Sequence, residues 1–281
     1  MKTILKKFCL FLFFQRECDF LMKNNLKIFH FDEINSTNSF LYDKLAVGED
    51  VSGVVAVAEH QTAGRGMGKN HWESERGENL LFSIALNVNY LKAEDQFKIS
   101  QAVSVAIVDA LQEVIRKPGL MIKWPNDIYF HDKKLCGMLI QNTIDGRMMG
   151  ITIIGIGLNI NQLQFSDDLP NPISLKNITG EEYNIDDILN QLIVKIVDNV
   201  ENLKSKEYFE VLNKKYTEKL YRYRQWADYY YKNKVKSLII KGFDCFGRLL
   251  LEDKSGEEIV CDVKELQFFP PSCSPDSEAD V

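Results

Sequence analysis

The sequence contains no C-x-x-C pair: its six cysteines, Cys9, Cys18, Cys136, Cys245, Cys261 and Cys273, are scattered. That spacing argues against a zinc site and a disulfide framework, and for reduced thiols in a cytoplasm. The four histidines show no H-E-x-x-H spacing, which argues against a zinc hydrolase. Neither G-x-x-x-x-G-K-[ST] nor a complete G-x-G-x-x-G is present, so a Walker A loop and a dinucleotide fingerprint both fail to fit. No basic block stands out, and the net charge is -6; this argues against a DNA-reading chain. The apolar run Phe8–Phe14 is far shorter than the roughly 20 residues of a membrane-spanning helix. It also lacks a small-x-small cleavage site, since Gln15-Arg16-Glu17 follows at once. Residues 1–24 are therefore expected to be an extension, disordered or a non-native start upstream of Met22. No internal repeat is visible.

What is present suits a globular protein. The chain has 281 residues, 45% hydrophobic and 26% charged, enough for one large domain or for one large and one small. Leu26–Phe31, Val54–Ala58, Asn79–Val88 and Met148–Ile156 read as strands. Ala93–Lys117 reads as the clearest helix, stopped by Pro118-Gly119, with further helices over Asp186–Leu203 and Lys206–Leu220. The pattern then changes to short strands at Lys234–Ile240, Arg248–Leu251 and Glu257–Val263, separated by turns, as in a small β-barrel. A Pro/Ser/acidic tail over 270–281 is expected to be disordered.

The stretch Lys123–Gly137, KWPNDIYFHDKKLCG, organises the functional reading. Pro125-Asn126-Asp127 is turn chemistry, and Ile128–Phe130 and Leu135–Gln141 read as strands flanking a turn at His131–Lys134. One hairpin would gather Lys123, Asp127, Lys133 and Lys134. Such a cation–carboxylate cluster suits an anionic ligand with a divalent metal; a solvated hairpin tip is the bland alternative. The loop Glu59–Trp72 alternates glycine with Arg65, Met67 and Lys69, and either closes over an anion or is a plain surface turn. Ser36 or Thr37 is a natural helix N-cap, leaving a neighbouring hydroxyl free for a ligand. Gly155-Ile156-Gly157-Leu158-Asn159 closes a buried strand, where backbone comes close to a ligand or another strand.

These motifs, STN at Ser36, GRG at Gly64, KWPND at Lys123, KLCG at Lys134 and GIGLN at Gly155, resemble in order and spacing those of the biotin protein ligases, monofunctional type. The resemblance spans about residues 29–269. It implies an α+β fold: a mixed β-sheet flanked by helices, similar to class II aminoacyl-tRNA synthetase cores, with a small C-terminal SH3-like barrel. The implied domains are catalytic over 25–221 and SH3-like over 222–269. It implies ATP-dependent ligation of biotin to a lysine of a biotin carboxyl carrier protein through biotinyl-5′-adenylate, with Mg²⁺. No DNA or membrane partner is implied, since no helix-turn-helix precedes Ser36, and a homodimer is left open. Lipoate ligation is the enzymatic alternative, and a biotin-binding protein without turnover the non-enzymatic one.

By the same resemblance, Lys134, Arg65 and Lys123 carry the catalysis. Ser36, Thr37, Asn38, Gln61, Gly64, Arg65, Lys134 and Gly137 surround biotin. Arg65, Met67, Trp72, Lys123, Asn126 and Asn159 hold ATP or the adenylate, with Trp72 stacking on adenine once the loop closes, and Asp127 holds the metal. One departure is plain: Met67 and Asn70 stand where the family's G-R-G-R-x-x-R-x-W loop has arginines.

Overall fold

The computed structural model describes residues 26–269, apart from 69 and 264. The expectations for residues 1–24, for Lys69 and for the 270–281 tail lie outside the described residues.

A seven-stranded mixed sheet forms the larger layer. Its strands are β1 (Lys27–Phe31), β2 (Val54–Ala58), β3 (Asn79–Asn87), β4 (Leu120–Lys123), β5 (Asp127–Phe130), β6 (Lys133–Asp145) and β7 (Met148–Asn159). Their order is β1-β2-β3-β7-β6-β5-β4. Only β1 and β2 run parallel; every other pair is antiparallel.

Both faces of this sheet are covered, which is why β2 is a continuous apolar run. Val55 and Val57 join the main core with Ile84, Ile154 and the helix α2 (Phe97–Ile115). Val54 and Ala56 turn the other way and pack with Leu41 of α1 (Thr37–Ala46), Ala85 and Ile153. The short α3 (Leu175–Thr179) and the longer α4 (Ile185–Glu201) and α5 (Lys206–Glu218) complete the helical layer. Apolar residues at helical spacing along α4, from Ile188 to Val200, are buried in the main core.

A second sheet is wholly antiparallel: β8 (Trp226–Tyr231), β9 (Lys234–Phe243), β10 (Leu249–Asp253), β11 (Glu258–Cys261) and β12 (Leu266–Phe268), in the order β11-β10-β9-β8-β12. This is the expected C-terminal β unit, with two strands, β8 and β12, that the sequence pattern did not reveal. Among the described residues no helix is long and apolar enough to cross a membrane.

Two local expectations are corrected. The helix expected over 93–117 is a 3₁₀ turn at Ala93–Asp95 followed by α2, which ends at Ile115 with Arg116 in the left-handed region. The turn expected at His131–Lys134 is shorter, because β6 already begins at Lys133. Successive strand residues point to opposite faces, so Lys133 is exposed while Lys134 reaches Asp127. The expected four-residue cluster is therefore three.

Candidate active site

Strand alternation builds the floor of the site. On β7, Ile154, Ile156 and Leu158 enter the main core, while Ile153, Gly155 and Gly157 face the α1 side. On β6, Cys136 and Met138 join the core, and Gly137 and Leu139 take the opposite face. Gly137 and Gly157 are direct cross-strand partners. The core-facing residues are large, whereas Gly137, Gly155 and Gly157 leave the other face bare, so a cleft of about 500 Å³ opens where α1 stops covering the sheet.

The inner end of this cleft is polar and buried. Ser36 caps α1, accepting a hydrogen bond from Ser39 N at 3.4 Å. Thr37 N donates to Gln61 Oε1 at 2.7 Å, and Thr37 Oγ1 lies 2.8 Å from Ser83 Oγ. Asn38 Nδ2 donates to Gln141 Oε1 at 3.1 Å, whereas its buried Oδ1 has no partner. Ser83 was missed at the sequence level, although a lone hydroxyl inside the apolar run of β3 was the available signal.

The charged end is the hairpin of β4 and β5. Asn126 pins the turn to β6: its Nδ2 donates to Met138 O at 2.6 Å, and its carbonyl accepts from Met138 N at 2.9 Å. The Trp124–Pro125 peptide is cis. Lys134 Nζ pairs with Asp127 Oδ1 at 2.8 Å. Lys123 Nζ donates to Tyr129 Oη at 2.7 Å. Burial, opposed by Asp127 and reinforced by Lys134 and Arg222, pulls the Lys123 ammonium from its ordinary 10.5 down to about 8.

The Gly64–Trp72 loop folds back on itself. Gly66 N donates to Asn70 O at 2.8 Å and Trp72 N to Gly64 O at 3.0 Å. A side chain at Gly64 would place its Cβ 2.5 Å from the Trp72 carbonyl oxygen. The loop delivers the Trp72 indole onto the paired glycines: a Cβ at Gly137 would lie 2.9 Å from the ring, and one at Gly157 would run into it. Lys134 Nζ is 5.5 Å from the indole centroid, and the buried Trp72 Nε1 has no partner. Arg65 and Met67 line the cleft from an exposed edge.

Behind Trp72 lies a second chamber of about 380 Å³, walled by Asn159, Phe165, Leu169 and the 170–172 segment. Six residues line both chambers: Asn70, His71, Trp72, Lys123, Asp127 and Lys134. Asn159 spends one amide donor on Ile173 O at 3.0 Å, tying this segment to the end of β7. The C-terminal sheet also reaches the site: Leu266, Gln267 and Phe268 of β12 line the larger chamber, which nothing in the sequence indicated. Every residue expected at the site lines one chamber or the other, save Gly64, which shapes the loop.

Among the described residues no group of three or more His, Cys, Asp or Glu is placed to hold a metal ion. The donor set is one carboxylate, Asp127, between two lysines. That set fits an ion carried in on a polyphosphate, since Mg²⁺ takes one or two carboxylates with phosphates and water.

Residues 30–159 match the family model described as the Biotin/lipoate A/B protein ligase family. The match runs from the end of β1 through β7. The Salmonella typhimurium bifunctional ligase/repressor BirA is 35% identical over 167 residues, 58% of this chain and 49% of that protein. The Mycobacterium tuberculosis biotin–[acetyl-CoA-carboxylase] ligase is 32% identical over 132 residues, 46% of this chain and 48% of that protein. The chain thus spans about half the length of the curated relatives it matches. Among solved structures, Aquifex aeolicus biotin protein ligase in complex with biotin and ATP superimposes with a TM-score of 0.71 at 26% identity, over 86% of this chain and 97% of that one. The mixed sheet with a second antiparallel sheet is therefore the biotin ligase fold.

Proposed function

We propose that the chain joins biotin to a protein lysine in two ATP-dependent steps. The observation that carries this reading is the meeting of two chambers at Lys123, Asp127 and Lys134. A ligation that first activates a carboxylate must bring two anions together, and the repulsion falls only where fixed cations stand between them. Here two lysines and one carboxylate stand at that junction. The Aquifex aeolicus neighbour was solved in complex with both biotin and ATP, and its likeness covers 86% of this chain.

In the first step a biotin carboxylate oxygen attacks the α-phosphorus of Mg-ATP, and pyrophosphate departs with the bonding electrons. Lys134 and Lys123 take up charge developing on the carboxylate and phosphate oxygens, and Arg65 faces the carboxyl end. Asp127 would hold Mg²⁺ carried on the nucleotide, and the ion would neutralise phosphate charge. The Trp72 indole forms a shared wall between biotin and adenine and keeps water from the mixed anhydride. In the second step the neutral amine of an acceptor lysine attacks the anhydride carbonyl. AMP leaves and the amide nitrogen sheds a proton. The acceptor is a biotin carboxyl carrier protein or domain, and the unpaired thiols of Cys136, Cys245 and Cys261 suit a cytoplasmic setting.

Biotin is favoured over lipoate by the polar inner end. A ureido group offers two N–H donors and a carbonyl; Ser36, Thr37, Gln61 and Ser83 supply hydroxyl and amide partners, and the orphan Asn38 Oδ1 supplies an acceptor. A dithiolane ring offers no N–H donor and would leave the buried Asn38 Oδ1 without a partner, which discriminates against lipoate. Incubation with Mg-ATP, a carrier domain and either biotin or lipoate tests the reading by product mass. A biotinylated carrier is expected; lipoylation alone, or no modification, overturns it.

A further inference from the structure

Lys134 and Lys123 are held in different ways. Lys134 has a carboxylate partner, Asp127, at 2.8 Å. Among the described residues Lys123 has no carboxylate within ion-pair distance; its side chain ends in an aromatic box. Its Nζ donates to Tyr129 Oη and lies 4.5 Å from the Tyr129 ring centroid and 5.0 Å from that of Phe268. Tyr129 belongs to the neighbouring strand β5. Phe268 comes from β12, in the other sheet.

Phe268 is itself fixed. It is the register partner of Tyr229 on β8, and the two rings meet edge to face at 5.2 Å between centroids. The Tyr221 ring also packs against it, tilted, at 6.0 Å between centroids. Arg222 lies 5.0 Å from the Tyr221 ring and donates Nη2 to Phe269 O at 3.1 Å, clamping the end of β12. The adjacent Trp124 is tied to the turn between β9 and β10 by a buried hydrogen bond from Nε1 to Gly247 O at 2.7 Å. Two consecutive residues of the KWPND stretch, Lys123 and Trp124, are thus gripped by β12 and by the β9–β10 turn of the C-terminal unit.

An aromatic face attracts an ammonium without neutralising it. A lysine held by rings stays available to an incoming phosphate, with no counter-ion to displace. We propose that Phe268 is a positioning residue for Lys123: the C-terminal sheet completes the adenylation site by holding that ammonium, uncancelled, at the junction of the two chambers. The inference rests on the ATP-dependent activation proposed above.

The test is a set of four full-length variants, Phe268→Leu, Phe268→Tyr, Lys123→Ala and the double variant Lys123→Ala/Phe268→Leu, with single-turnover pyrophosphate release as readout. Loss of one ammonium–ring contact should slow release about tenfold in Phe268→Leu, with the biotin KM within about twofold of wild type. Phe268→Tyr keeps a ring and should restore the rate to within about twofold. In the Lys123→Ala background Phe268→Leu should add nothing, since the partner is already gone. An unaltered rate in Phe268→Leu, or the same fold-loss in both backgrounds, overturns the proposal. Wild type that releases no pyrophosphate with biotin would instead overturn the functional reading. In that event equilibrium ATP binding by the same four variants decides the Phe268 question, with the same pattern of losses expected and equal affinities overturning it.

Discussion

The Lys123–Gly137 hairpin and the Gly64–Trp72 loop face each other across the junction, and they are built to opposite specifications. The hairpin is laddered to β6, pinned through Asn126 and tied to the β9–β10 turn through Trp124. The loop is held chiefly by hydrogen bonds within itself, and Arg65 and Met67 lie exposed along it. Charge that must meet a transition state comes from the rigid side, where little reorganisation is needed. Groups that admit, cover and release ligands come from the side that can move at low cost. Changes in the hairpin should therefore appear in the chemical rate, and changes in the loop in binding and retention.

The sharpest break is Lys134→Ala. Removing one preorganised cation should lower adenylation on the order of 10²–10³-fold, read by single-turnover pyrophosphate release. A rate within about threefold of wild type would mean that the hairpin is not where charge is stabilised.

Next comes Gly157→Val, which acts on the loop from beneath. A branched side chain on β7 removes the shelf on which the Trp72 indole rests. ATP should bind roughly tenfold or more weakly, the scale of losing one stacking face. Trp72 emission should shift to the red as the indole enters water. Unchanged emission and ATP affinity together would mean that the shelf is not what seats the ring.

A smaller effect is expected at Met67, which carries no charge where the family's loop has arginine and is 38% exposed. An exposed charge-assisted hydrogen bond sits at the low end of its range. Met67→Arg should thus slow escape of preformed biotinyl-adenylate by about tenfold, read by chasing the intermediate with unlabelled biotin and ATP. An unchanged escape rate would remove retention from this position.

The smallest effect is pH dependence. In the free protein Lys123 is charged below about 8 and neutral above it. The charged form binds phosphate, so kcat/KM for ATP should fall as pH rises through about 8, because this ratio reports groups of the free enzyme. Lys123→Arg stays charged across this range and should flatten the limb. A wild-type profile level up to pH 9.5 would show that Lys123 keeps its proton there.

Much of this arrangement is legible in the sequence wherever local rules suffice. The β-branched run at Val54–Ala58, the stripe along Phe97–Ile115 and the Ser36 cap follow from period, propensity and side-chain chemistry. The junction residues are legible because turn chemistry at Pro125–Asp127 folds Lys123 and Asp127 together within a few residues. What escaped depends on distant partners. Leu120–Lys123 is too short to announce itself beside Pro118-Gly119, and Leu266–Phe268 is a strand only because Tyr229–Tyr231 lies next to it. The step in register between Ile128 and Tyr129 sets which lysine faces the site, and no pattern of residue types marks it. Asn159 shows a related limit: it lines the second chamber, and nothing in the residue pattern announces its bond to Ile173 O.

The central claim is that Lys123, Asp127 and Lys134 form one place where a biotin carboxylate meets the α-phosphorus of ATP. Isotope exchange between pyrophosphate and ATP, run without any carrier protein, tests it most directly, because only reversible adenylation moves label between them. The account predicts exchange that requires biotin, is not supported by lipoate, and falls on the order of 10²–10³-fold in Lys134→Ala. Exchange that proceeds equally without biotin, or that survives Lys134→Ala undiminished, would contradict it.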